Sequence, residues 1–196
     1  MIPGCNLNII STFTVRCYRN TLVMTSEEQY QQYLALHRNF SESYSQVYKH
    51  VMDFYPQPQK FIKEAAPEID SYVERFSAYR TRVAGEESFQ QFFYFAKSFK
   101  EFATETNGVF EEYQGLHGES GNYIKTIFKL KEKGYGDTED STQYVELIPV
   151  LSKLIGGFEH VEKKTEEAAK RLQQLQSEWG NIKTKMSPTS WPGNPL

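Results

Sequence analysis

Apolar residues recur every three or four positions along most of this chain, which is the spacing of one face of an α-helix. The first such stretch runs from Tyr30 to Met52 and stops at Pro56 and Pro58, because proline lacks the amide that a continuing helix needs. Directly before it, Thr25-Ser26-Glu27-Glu28 has the pattern of a capping box. The pattern predicts a helix that begins at Thr25 and is roughly 45 Å long, at 1.5 Å of rise per residue.

Two further amphipathic stretches follow in the middle of the chain. One extends from Phe61 to Val83 and is closed by Gly85, and Pro67 inside it predicts either a kink or the first turn of a fresh helix. The next extends from Phe89 to Tyr113, with Asn107-Gly108 as its expected interruption. The middle of the chain is therefore predicted to be helical, with breaks at proline and glycine.

Glycines mark the expected breaks in the second half of the chain. The segment from Gly115 to Gly121 predicts a loop, and a short basic helix from Tyr123 to Leu130 is expected after it, ended by Gly134. The last amphipathic stretch begins near Asp140 or Ser141 and runs to about Lys185. Bends are expected in that last helix at Pro149 and Gly156-Gly157.

No segment of a strand's length alternates between apolar and polar residues, so a sheet is not expected. The prediction is an all-α fold, an elongated antiparallel helical bundle or coiled coil over residues 25–185. A flexible leader, 1–24, is expected before it, with Met24 as an alternative initiator. The proline-rich tail, 186–196, is predicted to be disordered.

Charge and composition exclude several classes of protein. The net charge of −3 argues against a nucleic-acid binder, which needs a strongly basic face. No run of about 18 apolar residues is present, so no membrane span is expected. Both cysteines, Cys5 and Cys17, precede the helical region, so no disulfide framework is expected and a cytoplasmic location fits best.

The residues that carry catalysis or bind metals are few and scattered. The four histidines are not spaced as metal ligands, and no phosphate-binding glycine loop or nucleophile motif is present. Asp137, Glu139 and Asp140 fit turn and cap residues better than a calcium loop. We therefore expect no metal, no cofactor and no enzyme activity. An enzyme whose acid and base come from scattered Glu and Tyr residues is kept as a third hypothesis, after the scaffold and the small-molecule binder described below.

A row of lysines gives the short basic helix one cationic face. Lys125, Lys129 and Lys133 recur at four-residue intervals, with Lys131 nearby and only Glu132 opposing them. Such a face can attract anionic lipid headgroups, and the alternative is an ordinary solvated helix surface. These four lysines are the candidate membrane-binding residues.

Aromatic residues crowd the stretch that begins at Phe89. Phe89, Phe93 and Tyr94 are candidates for a partner-binding or ligand-binding surface, although aromatic residues at helical spacing usually form a core. Exposure of any of the three would favour an interaction site. An apolar pocket between Phe89 and Tyr113, binding a small molecule, is the alternative function.

One stretch resembles the opening helix of inverse-BAR domains of the missing-in-metastasis type: it runs from His37-Arg38 through Val47-Tyr48-Lys49-His50-Val51-Met52-Asp53-Phe54-Tyr55-Pro56 and is followed by Phe61-Ile62-Lys63. The resemblance covers about 30 of 196 residues and implies a homodimeric, membrane-bending scaffold linked to actin. It offers no motif from which lipid contacts can be carried over. The expected function is a noncatalytic helical scaffold that self-associates and presents a surface to a protein partner or an anionic membrane.

Overall fold

The structure, a computed structural model, describes residues 25–83, 87–135 and 142–185. Within these ranges every regular element is helical, which confirms the all-α prediction. The helices are α1 (Ser26–Phe54), α2 (Pro56–Val83), α3 (Glu87–Glu132), α4 (Thr142–Val145) and α5 (Ile148–Lys185). The predicted leader 1–24, the tail 186–196, Gly85 and the acidic turn at 137–140 lie outside the described residues.

The start of α1 follows the capping box. The Thr25 hydroxyl accepts a hydrogen bond from the Glu28 amide at 3.2 Å, and the Glu28 carboxylate accepts one from the Thr25 amide at 2.8 Å. The first helix ends at Phe54, as predicted, and Pro56 and Pro58 occupy the first turn of α2, where the missing amide hydrogen is not needed. The alternative prediction that a fresh helix begins at Pro67 is wrong, because α2 continues through Pro67.

The glycine-rich segment of α3 is helical, which contradicts the predicted loop at Gly115–Gly121 and the predicted interruption at Asn107-Gly108. A glycine inside a helix costs about 1 kcal/mol relative to alanine, but side chains throughout the segment contact neighbouring helices. Gln59 of α2 donates to Asn107 at 3.0 Å, and Lys153 of α5 donates to Glu119 at 2.9 Å. Tertiary packing therefore outweighs the local preference of the glycines.

The predicted basic helix is the last part of α3, and its end was predicted correctly. Gly134 has a φ of +82°, which favours glycine. The Gly134 amide donates to the Lys131 carbonyl at 3.0 Å, and the Tyr135 amide donates to the Leu130 carbonyl at 3.2 Å. These two bonds form a Schellman motif and fix the end of α3.

The predicted single helix from residue 140 or 141 to 185 is divided in the structure. The short helix α4 ends at Val145, and α5 begins at Ile148. Pro149 is the second residue of α5, so the change of direction expected at Pro149 takes the form of an interruption directly before it. The helix then continues through Gly156-Gly157.

The long helices pack in an up-down-up arrangement. Helix α3 runs antiparallel to α1 and α2. His37 near the start of α1 contacts Tyr123 near the end of α3, and Phe76 near the end of α2 contacts Phe89 near the start of α3. Contacts between α3 and α5 are also antiparallel, since Glu119 pairs with Lys153 and Glu105 with Arg171. At 1.5 Å per residue, the 46 residues of α3 span roughly 69 Å, which is compatible with the predicted elongated form.

Two apolar clusters form the core, and both α3 and α5 contribute to each. The α1 cluster lies between α1, the last part of α3 and the first part of α5, and its buried residues include Tyr33, Phe40, Val47, Val51, Tyr123, Leu151, Leu154, Phe158 and Val161. The α2 cluster lies at the other end, and its buried residues include Ile69, Phe76, Phe92, Phe95, Phe99, Phe102, Leu172, Leu175 and Trp179. The phenylalanines of α3 are thus mostly core residues.

Each of the four histidines contacts a side chain of a neighbouring helix. Two of them bond to tyrosines between α1 and α3: His37 Nδ1 lies 2.7 Å from the Tyr123 hydroxyl, and His117 Nδ1 lies 2.8 Å from the Tyr44 hydroxyl. Burial, together with the charge of Lys131, lowers the pKa of His37. The other two histidines lie beside glutamates of a neighbouring helix, His50 beside Glu162 at 3.2 Å and His160 beside Glu112 at 3.6 Å.

Two tyrosines of α3 are equally buried but differ in their partners. Tyr123 is 3% exposed, and its hydroxyl contacts both His37 and, at 3.4 Å, the Tyr33 hydroxyl. Tyr113 is 2% exposed, and its hydroxyl has no hydrogen-bond partner among the described residues. Burial, with the nearby Tyr44 and Tyr48, raises the pKa of Tyr113 to about 12.

We predict opposite effects of removing these two hydroxyls. Tyr113→Phe is expected to raise the free energy of unfolding by about 1 kcal/mol, because an unpaired buried hydroxyl costs about 1–3 kcal/mol. Tyr123→Phe, the matched control, is expected to lower it by about 1–2 kcal/mol. Urea denaturation of both variants measures the difference, and equal destabilisation by the two substitutions would show that the Tyr113 hydroxyl is paired in solution.

Two adjacent glycines of α5 allow a second matched test. A Cβ atom at Gly157 would lie 2.6 Å from Leu116 Cδ2, whereas one at Gly156 would meet nothing within 4 Å. Gly156→Ala is expected to raise the free energy of unfolding by about 0.5–1 kcal/mol. Gly157→Ala is expected to be less stable than Gly156→Ala by about 1 kcal/mol, the low end of the cost of overpacking, because the clashing atoms are the end of a partly buried leucine side chain that can shift.

The penalty at Gly157 is tested directly in a Leu116→Ala background. Without the leucine side chain, the two glycine substitutions are expected to have similar effects on the free energy of unfolding. A penalty for Gly157→Ala that persists in this background contradicts the assignment of the clash to Leu116.

Candidate membrane-binding surface

The four lysines predicted to contact a membrane lie at the end of α3. Lys125, Lys129 and Lys131 are on its last turns, Lys133 directly follows the helix, and all four are exposed. Within the part of the chain that the structure describes, none of them forms an ion pair with a carboxylate. Lys129 and Lys131 also interact favourably with the partial negative charge at the C-terminal end of the helix, and each interaction contributes a few tenths of a kcal/mol to stability.

The helix geometry separates the lysines from the core. Tyr123 and Ile127 are buried in the α1 cluster, and Lys125 and Lys129 follow each of them by two residues, or about 200° around the helix. These two lysines therefore point away from the core. Lys131 follows the buried Ile127 by one helical turn, so it lies beside the core face of α3, and its charge lowers the pKa of His37 on α1.

Two exposed apolar side chains lie between the lysines. Ile124 and Phe128 follow Tyr123 and Ile127 by one residue, and they are 41% and 62% exposed. As an i, i+4 pair they are neighbours on the helix surface. Lys125, Lys129, Lys131 and Lys133, with Ile124 and Phe128 among them, are called the lysine surface below.

Ile124 and Phe128 were not predicted as functional residues, because only the charged residues of the basic helix indicated a binding surface in the sequence. Five of the eight residues from Tyr123 to Leu130 are apolar, which is more than one helix face can bury. That excess was the available signal. It did not show which of the five would be exposed, since that depends on where α1 and α5 pack.

The second group of candidates lies at the opposite end of α3. Phe89 and Phe93 are partly buried against the α2 cluster, and the Phe89 ring meets the Phe76 ring edge-on at 4.7 Å. Tyr94 is 73% exposed. Since 34 residues of helix separate Tyr94 from Phe128, roughly 51 Å at 1.5 Å per residue, the two candidate groups do not form one site.

Two cavities lie between α3 and α5. One, of about 550 Å³, is lined by Glu105, Gly108, Val109, Lys164, Glu167, Ala168 and Arg171. The other, of about 460 Å³, is lined by Gln91, Tyr94, Phe95, Ser98, Glu178, Asn181, Ile182 and Lys185. Both cavities take part of their lining from the stretch between Phe89 and Tyr113, and Tyr94 and Phe95 supply the aromatic lining of the second.

The described helices offer neither a metal site nor a membrane span. No three His, Cys, Asp or Glu side chains within residues 25–83, 87–135 and 142–185 come together as ligands. None of the helices in those ranges is long and apolar enough to cross a bilayer.

Comparison with known proteins finds no protein-family model, no curated protein and no solved structure that matches this chain. The resemblance of α1 and the start of α2 to inverse-BAR domains stays a prediction that rests on the quoted residues alone.

Proposed function

We propose that this chain is a noncatalytic helical scaffold that binds anionic membranes through the lysine surface. The observation that carries the proposal is that four exposed lysines and two exposed apolar side chains lie close together at one end of α3. A surface helix with basic and apolar residues side by side is typical of interfacial membrane binding. The corresponding location is cytoplasmic and peripheral to a membrane.

Electrostatic attraction is the larger part of the proposed binding energy. Each lysine near an anionic surface contributes about 1 kcal/mol, so four lysines together contribute about a thousandfold in affinity. Glu132 lies within the lysine row and reduces this attraction locally. The interaction is expected to weaken as salt rises, because the Debye length shortens from about 10 Å at 0.1 M to 3 Å at 1 M.

The use of the histidines in helix packing supports a noncatalytic role. All four contact a side chain of another helix, either a tyrosine hydroxyl or a glutamate carboxylate. They are distributed along the bundle instead of converging on one cleft. Self-association as a homodimer, which the inverse-BAR resemblance implies, belongs to the same proposal.

The proposal predicts that the full chain sediments with vesicles in proportion to their anionic lipid content. Changing Lys125, Lys129, Lys131 and Lys133 to Glu is expected to reduce the apparent affinity at physiological salt by about a thousandfold or more. Co-sedimentation with vesicles of graded phosphatidylserine content measures the effect.

A matched variant separates the position of the charges from their number. Lys49, Lys60, Lys63 and Lys100 are also exposed and lie outside the lysine surface, so changing them to Glu gives the same net charge. This variant is expected to keep most of the binding. Equal loss in both variants, or no sedimentation of the unmodified chain at low salt, contradicts the proposal.

A second candidate function is small-molecule binding in the 460 Å³ cavity beside Tyr94. Its volume lies within the usual range of ligand pockets, its apolar lining includes Phe95 and Ile182, and the exposed Tyr94 ring stands at its edge. Gln91, Ser98 and Asn181 supply polar groups that can orient a ligand.

The second candidate predicts that a neutral apolar dye binds at this cavity. Nile red fluorescence is expected to rise on addition of the full chain, and Tyr94→Ser is expected to weaken dye binding several-fold, because the side chain forms part of the cavity wall. Phe128→Ser serves as the control, because Phe128 is an exposed aromatic residue that does not line this cavity. Equal dye binding by Tyr94→Ser and the unmodified chain contradicts this candidate.

A further inference from the structure

We infer that Phe128 and Ile124 enter the bilayer below the phosphate layer while the surrounding lysines remain at the headgroups. This inference rests on the proposed membrane function and specifies how the same surface would bind. It adds an apolar anchor to the electrostatic attraction, and the two contributions can be measured separately.

The exposure of Phe128 is exceptional in this chain. Of the phenylalanines that the structure describes, Phe128 alone is exposed, and the others are buried or partly buried in the two core clusters. Ile124 is one helical turn away on the same side and is also exposed. Together they form an apolar ridge that no described part of the chain covers.

The positions of the lysines identify the partner of this ridge as an anionic bilayer. Lys131 follows the buried Ile127 by one helical turn and so lies on the core side of the ridge, whereas Lys125 and Lys129 lie on the other side, so the ridge has cationic groups along both edges. Lysine side chains are long enough to keep their ammonium groups at phosphate level while neighbouring apolar groups lie deeper. A protein partner with an apolar groove would not need cations on both edges.

On the N-terminal side of the ridge, α3 has a glycine and therefore no projecting side chain, which leaves room for a flat bilayer to approach the ridge. Gly121, one turn before Ile124, has nothing within 4 Å of the position that a Cβ atom would occupy. Helical side chains lean toward the helix N-terminus, so the Ile124 side chain extends over this bare turn. The ridge therefore projects from the helix surface beside a glycine.

The apolar contribution has a distinct dependence on salt. Salt screens the attraction between lysines and phosphates but has little effect on apolar burial. Burial of the exposed part of one phenylalanine corresponds to about tenfold in affinity. The full chain is therefore expected to keep residual binding at high salt, and that residual binding depends on Phe128.

The test compares Phe128→Ser with Tyr94→Ser in co-sedimentation with phosphatidylserine vesicles over a series of salt concentrations. Both side chains are highly exposed, so circular dichroism is expected to show both variants folded. Phe128→Ser is expected to weaken binding about tenfold at every salt concentration, leaving the slope against salt unchanged, whereas Tyr94→Ser binds like the unmodified chain.

A direct measurement of depth uses a single cysteine at position 128, or at position 94 as control, with Cys5 and Cys17 changed to Ser and the nitrobenzoxadiazole label attached. On vesicle binding, the label at 128 is expected to brighten, shift to the blue and be quenched by nitroxide-labelled acyl chains. The label at 94 is expected to remain unchanged.

The outcomes separate the two proposals. If the unmodified chain does not bind vesicles at low salt, the proposed function fails and the inference fails with it. If the chain binds but Phe128→Ser binds equally well and the label at 128 stays in water, the insertion is overturned while the electrostatic binding stands. If the label at 128 brightens with protein concentration in the absence of vesicles, a second copy of the chain covers the ridge and the insertion is again overturned.

Discussion

Helix α5 packs against both halves of the bundle, and burial of its apolar stripe holds the other helices in place. Its buried residues are shared between the α1 cluster and the α2 cluster. A fully buried leucine or phenylalanine contributes about 1.5–3 kcal/mol. Exposed ion pairs such as Lys153 with Glu119 contribute 0–1 kcal/mol each. Apolar burial therefore determines that α3 and α5 pack together, and the ion pairs favour their antiparallel register. The lysine surface depends on this packing, because the burial of Tyr123 and Ile127 decides which side of α3 faces outward.

Much of the fold could be predicted from the sequence because its signals are local. The capping box at Thr25, the prolines after Phe54 and Gly134 at the end of α3 each act on one turn of backbone. At each of these boundaries stands a residue type that determines the local backbone conformation or hydrogen bonding. The same reasoning failed at Gly115–Gly121, where the local preference of glycine was correct but too weak. Contacts of α3 with α1 and α5, which are distant in sequence, decide that segment.

The candidate site was predictable in its charges and not in its apolar part. Lys125, Lys129 and Lys133 were identified because four-residue spacing places side chains on one helix face whatever the tertiary structure. Ile124 and Phe128 were not predicted as site residues, and only the packing of α1 and α5 shows that they are exposed. Tyr94 presents the same difficulty, since it lies among phenylalanines that are mostly buried. A run of apolar residues predicts burial on average but does not identify the exceptions.

The open glycines of α3 have a consequence for how this helix moves. Gly108, Gly115, Gly118 and Gly121 have no neighbour within 4 Å of their Cβ positions, and each lowers the intrinsic helix stability by about 1 kcal/mol relative to alanine. The segment from 108 to 121 joins the lysine surface to the phenylalanine-rich half of α3, so the helix is intrinsically weakest between its two functional candidates. Local opening of a protein follows such differences in stability. Backbone amides of the glycine segment are therefore expected to exchange with solvent through openings smaller than global unfolding.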